Sequence, residues 1–151
     1  MKILIAIDGS QVSHHEVQHA LQLVRNGLQA SFVLANVQEA PSTYERLTAQ
    51  GNEEMLANVA FGAGTDALAD SVRLIEQAGV SYITEVISSG NPAQSIIELV
   101  HLHGCNLIIT GTRAQSRLRN VLGGSVSREL IDDAPVPVLV VKLPDPILSE
   151  P

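Results

Sequence analysis

Apolar positions come in two periods along this chain, and the two alternate. Lys2–Asp8 (KILIAID) is a continuous apolar run that ends in the turn-forming Asp8-Gly9-Ser10, as expected of a strand covered on both faces. From Gln11 to Asn26 the period changes: Val17, Ala20, Leu21, Val24 and Leu28 recur at helical spacing, with Ser10 or Ser13 as cap and Gly27 as terminator. Ser31–Val37 (SFVLANV) is a second strand, and Gln38–Asn52 is polar, without a period, and reads as a loop. A long helix is expected over Glu53–Ala78, with Gly62 and Gly64 each weakening its middle by roughly 1 kcal/mol relative to alanine and leaving a break there open.

Val80–Ile87 is a third strand, and Asn91-Pro92-Ala93-Gln94 then carries the cap, first-turn proline and capping-box position of a helix start. Ala93, Ile96, Ile97 and Val100 form its buried stripe. Cys105–Thr110 is strand four, a helix is expected to open at Ser125 and run through Asp132, and Val136–Lys142 is strand five. Strands alternating with helices predict an α/β fold with an open, doubly wound, mostly parallel sheet and helices on both faces. In such a sheet ligands sit outside the carboxyl ends of the strands, where the strand order reverses. Residues 1–143 are expected to form one domain, and 144–151 a loose proline-rich tail.

Composition narrows the function. At 151 residues with 45% hydrophobic and 17% charged positions the chain can build a well-filled core. Aromatics are only 3%, too few to supply stacking platforms for single-stranded nucleic acid. A net charge of −7 opposes nucleic acid and anionic membrane as partners. The single cysteine, Cys105, excludes an intramolecular disulfide, and the first apolar run is too short for a signal peptide or a membrane span, so a cytoplasmic location is expected.

Against the acidic background, four of nine basic residues (Arg113, Arg117, Arg119 and Arg128) fall in one stretch, LIITGTRAQSRLRNVLGGSVSR. Strand end, Gly111, basic loop, Gly123-Gly124 and a helix opening at Ser125 make an anion site: glycines admit the ligand and helix-start N–H groups face its charge. Neither the Walker loop nor the dinucleotide G-x-G-x-x-G is present. The spacing is Gly111, two residues, Ala114, nine residues, Gly124, Ser125. It resembles the G-2x-G-9x-G-[ST] signature of the ATP-binding universal stress proteins, with Ala114 in place of the middle glycine. ILIAIDGSQVS at the start, Val37 closing strand two, Gly90 before the third helix and Ala134-Pro135-Val136-Pro137-Val138-Leu139-Val140-Val141 resemble that family as well.

The resemblance implies a Rossmann-like, adenine nucleotide alpha hydrolase-like fold with strand order 3-2-1-4-5, and a homodimer paired along strand five, Val136–Val141. It implies an ATP site between strands one and four. Ala6, Ile7 and Asp8 would line the adenine and ribose side and Val37 the base. Thr110 and Gly111 would meet the ribose and first phosphate. Arg113, Ala114, Gly124, Ser125 and Val126 would cradle the phosphates. Asp8 is the nearby carboxylate for a Mg²⁺ that accompanies the nucleotide.

Asp8 can equally be a turn residue. His14, His15 and His19 lack a third ligand of suitable spacing and read as an exposed helix face rather than a metal site. No nucleophile elbow, zinc motif or carboxylate pair is apparent, which favours an ATP-binding regulatory protein without efficient turnover. A nucleotide-free dimeric interaction module and a slow ATPase or phosphotransfer protein are the alternatives.

Overall fold

A computed structural model describes residues 1–112 and 126–143. Five strands, β1 (Lys2–Ala6), β2 (Ser31–Val37), β3 (Tyr82–Ile87), β4 (Leu107–Gly111) and β5 (Val138–Val141), form one sheet in the order β3-β2-β1-β4-β5. All pairings are parallel, with Ile3 beside Phe32 on one side and Leu107 on the other. The helices are α1 (Gln11–Arg25), α2 (Thr43–Thr48), α3 (Glu53–Ala78), α4 (Pro92–His103) and α5 (Val126–Asp133).

The strand period of two decides the layers. Ile3, Ile5 and Ile7 project to one face and pack with Val17, Ala20 and Leu21 of α1 and with Leu68 and Ile75 of α3. Leu4 projects to the other face, against Ala93, Ile96, Leu99 and Val100 of α4 and Leu130 of α5. β1 is therefore covered on both faces, and Ile3, Leu4 and Ile5 are fully buried.

Several local expectations are met at the helix ends, although Ser10, at the start of α1, makes no side-chain cap hydrogen bond. Asn91 caps α4 through its side chain on the Gln94 N–H, at 3.0 Å, with Pro92 in the first turn. Gln94 turns its own amide to Glu98 instead of closing the capping box. Gly27, Gly79 and Gly104 take positive φ after α1, α3 and α4. In each case the following N–H reaches back five residues, as Leu28 does to Leu23, satisfying a carbonyl that the helix leaves open.

Three readings need revision, and the break left open in α3 does not occur. Within the expected loop 38–52, α2 forms, with Ser42 and Glu45 closing a reciprocal capping box. β4 begins at Leu107 because Cys105 is still part of the α4 exit, its N–H bound to Val100 O. β5 is shorter than expected and starts after Pro137, which has no N–H for a ladder. α3 is unbroken over 26 residues, despite Gly62 and Gly64. Gly64 is buried where α3 crosses the sheet, and a Cβ there would meet Val86 and come 2.9 Å from Asn36 Oδ1. Its helix cost is offset by the close approach it permits. The expected tail 144–151 lies outside the described residues.

Candidate functional site

β1 pairs with β2 on one side and β4 on the other, so the chain leaves the centre of the sheet in two directions. At that division, beyond the carboxyl ends of β1, β2 and β4, lies a cleft of about 610 Å³. Its floor is built from Ala6, Ile7 and Asp8 after β1, Ala35, Asn36 and Val37 of β2, and Thr110 and Gly111 of β4. Pro92 and Ile96 bring the first turns of α4 to its rim, and Val126 and Ser127 bring the start of α5. Helix starts carry a partial positive charge, so this rim favours an anionic ligand.

Hydrogen bonds hold the floor in shape. The buried Asn36 side chain donates to Ile7 O at 2.7 Å and accepts from Gln38 Nε2 at 2.7 Å, locking the ends of β1 and β2 together. Gln38 N–H continues to Ile87 O, and Gly90 N–H returns to Gln38 O. Asp8 is a turn residue that also borders the cleft. Its Oδ1 accepts from Ser10 N–H and from the Ser13 hydroxyl, both at 2.9 Å, which fixes the turn into α1. Its exposed carboxylate also lines the cleft.

Seven of the residues expected from the sequence, Ala6, Ile7, Asp8, Val37, Thr110, Gly111 and Val126, come together in this cleft. The other four, Arg113, Ala114, Gly124 and Ser125, lie outside the described residues. Among the described residues no group of three His, Cys, Asp or Glu side chains could hold a metal ion, so Asp8 lacks protein companions for that task. His14 and His19 stay on the exposed face of α1.

The sequence reading passed over Asn36, Gln38, Pro92, Ile96, Ser127 and, most consequentially, Glu16. Glu16 sits on the inward face of α1, one turn after Val12, and is only 3% exposed. Its carboxyl and Val12 fill the space that a Gly111 side chain would occupy. Gly111 thus serves the packing of α1 on β4 as well as the opening of the cleft. Burial first, and the Asp8 charge second, push the Glu16 pKa up to about 9. Among the described residues its Oε2 has no hydrogen-bond partner, and neither has the buried Thr112 hydroxyl on the next residue of the chain after Gly111. A signal for Glu16 was present: it is a charge on the inner stripe of an amphipathic helix, beside Val17 and four residues from Ala20.

Comparison with known proteins agrees with the geometry. The model of the universal stress protein family matches residues 1–142. A universal stress protein of Methanocaldococcus jannaschii is 33% identical over 143 residues, covering 95% of this chain and 82% of that protein. The solved structure of the hypothetical protein MJ0577 superposes with a TM-score of 0.77 at 23% identity, covering 95% of this chain and 96% of the other. A universal stress protein family member from Arabidopsis thaliana, with AMP bound, superposes with a TM-score of 0.67 at 20% identity, covering 94% and 91%. The chain belongs to the universal stress protein family.

Proposed function

We propose that the cleft binds an adenine nucleotide, ATP by preference, and that the protein is a nucleotide-responsive regulator rather than an efficient enzyme. The observation that carries this reading is the cleft itself. It opens where the strand order divides, under the starts of α4 and α5, and its volume of about 610 Å³ is within the usual range for small-molecule sites. Structures of family members with AMP, cAMP and dAMP bound support the choice of ligand class.

In this reading Ala6, Ile7, Asp8 and Val37 take the adenine and ribose side. Thr110 and Gly111 take the ribose and first phosphate. Arg113, Ala114, Gly124, Ser125 and Val126 take the phosphates. Any Mg²⁺ arrives with the nucleotide, held mainly by its phosphates, because Asp8 Oδ1 is already committed to Ser10 and Ser13. The state of one cleft carboxyl fits slow turnover. Glu16, protonated at neutral pH, is no general base.

The test is to denature the purified protein, identify the small molecules released, and titrate the stripped protein with Mg-ATP and AMP by calorimetry. Nucleotide in the released fraction and saturable heat are expected. Absence of both at millimolar nucleotide would overturn the reading. The homodimer through Val136–Val141 is part of the same proposal. In support, β5 is an edge strand of the sheet, and an edge strand can pair with a second copy. Sedimentation at micromolar concentration should give twice the mass of the chain, and Val140→Pro should shift it to the monomer. A wild-type monomer would refute this assembly.

A further inference from the structure

Besides its general shape, the cleft has a buried polar group in its wall. Glu16 is 3% exposed, lines the cleft, and presents an Oε2 with no partner among the described residues. Buried polar atoms are nearly always paired, and one left open beside a ligand site is explained when the ligand supplies the partner. We propose that Glu16 is a specificity-determining residue of the cleft, acting as a neutral carboxylic acid that donates a hydrogen bond to a phosphoryl oxygen of the bound nucleotide.

The position is set from three sides. α1 carries Glu16 on its inner face, Val12 flanks it, and Gly111 leaves the space its carboxyl occupies at the end of β4. Gly111 is where the nucleotide reading places the first phosphate, so the proposal rests on that reading. A phosphoryl oxygen only accepts, so the carboxyl must keep its proton to bond it. The surroundings keep it there. Asp8, after β1, is the charge that acts on Glu16. The buried face of α3 brings Gly64, Leu68, Ser71 and Ile75, and β4 and β5 bring no titratable side chain. No described cation therefore stabilises the Glu16 anion, and burial holds its pKa at about 9. Losing that proton would remove the donor and set a second negative charge beside Asp8, against the phosphate.

The experiment is calorimetric titration of the full chain with AMP, ATP and adenosine, from pH 7.5 to 10.5, on wild type, Glu16→Gln and Glu16→Leu. The phosphates are fully ionised through most of this window, so their charge does not confound the profile. Wild type should lose affinity for AMP and ATP, approaching tenfold per pH unit once the Glu16 proton is released, while adenosine affinity stays level. Glu16→Gln keeps a donor in its amide and should retain most of the affinity without the alkaline fall. Glu16→Leu keeps the volume without the donor and should bind AMP roughly tenfold or more weakly at pH 7.5. Thermal unfolding of each variant verifies that it is folded.

If both polar forms bind nucleotide with the same pH profile, or if Glu16→Leu binds AMP as wild type does, the proposal is wrong and the nucleotide reading stands. If no form binds AMP or ATP at pH 7.5, the nucleotide reading fails and the proposal falls with it.

Discussion

At the scale of single residues, Glu16 and Gly111 form one unit. The carboxyl occupies the space that the glycine leaves vacant, so neither substitution is independent of the other. Gly111→Ala should destabilise the fold by about 1–3 kcal/mol through overpacking against Val12 and Glu16. Much of that loss should disappear in the Gly111→Ala, Glu16→Ala double variant, and a double-mutant cycle by urea denaturation measures the coupling. A buried acid also ties stability to pH. With its folded pKa raised from 4.5 to about 9, the stability associated with Glu16 is complete below pH 4.5 and drains away as pH rises toward 9. Over that window the loss approaches about 1.4 kcal/mol per pH unit for this one proton. Glu16→Gln should remove this component, seen as a flatter pH dependence in denaturation at pH 5, 7 and 8.5. None of this could be read from the chain directly. That Glu16 lies on the inner stripe is visible in the helical period, but that a glycine 95 positions later makes its niche is a property of the β1–β4 pairing.

Elements show the opposite balance. Strand runs, helix caps and terminating glycines are local devices, and the order of strands and helices follows from them with errors of a few residues. Even α2 was written locally, in the Ser42-x-x-Glu45 box, but no apolar period accompanied it because none of its residues is buried. The two glycines of α3 separate what propensity can tell from what it cannot. Gly62 has open space where its Cβ would be, whereas Gly64 faces Val86 and Asn36. Gly62→Ala should therefore stabilise by about 1 kcal/mol. Gly64→Ala should destabilise despite the same gain in helix propensity, because it displaces a β-branched side chain and the amide that holds Ile7 O. Thermal unfolding of the pair decides it, and equal shifts of the same sign would refute the packing role of Gly64. Asn36 itself had no local signature, since a polar residue near a strand end looks like any other until its partner strand is known.

For the molecule as a whole, we propose that 1–143 is the folding unit, and that removing 144–151 leaves the melting temperature unchanged within about a degree. A loss of several degrees would show that the tail docks on the body. No helix among the described residues is long and apolar enough to cross a membrane. The parallel sheet joins distant parts of the chain: Lys2 N–H donates to Asn106 Oδ1 across 104 positions, and β1 meets β4 only after four helices and two other strands have been made. On a ribosome, then, the first strand emerges long before its second neighbour exists. β1, β2 and β3 can assemble early, but one wall of the cleft is absent until β4 and α5 have left the exit tunnel. A nucleotide that needs all of these walls recognises finished chains alone, and by mass action it favours them over unfinished ones. The cleft would then act as a proofreader of its own synthesis, retaining its ligand only when the last-made third of the protein has found the first-made strand.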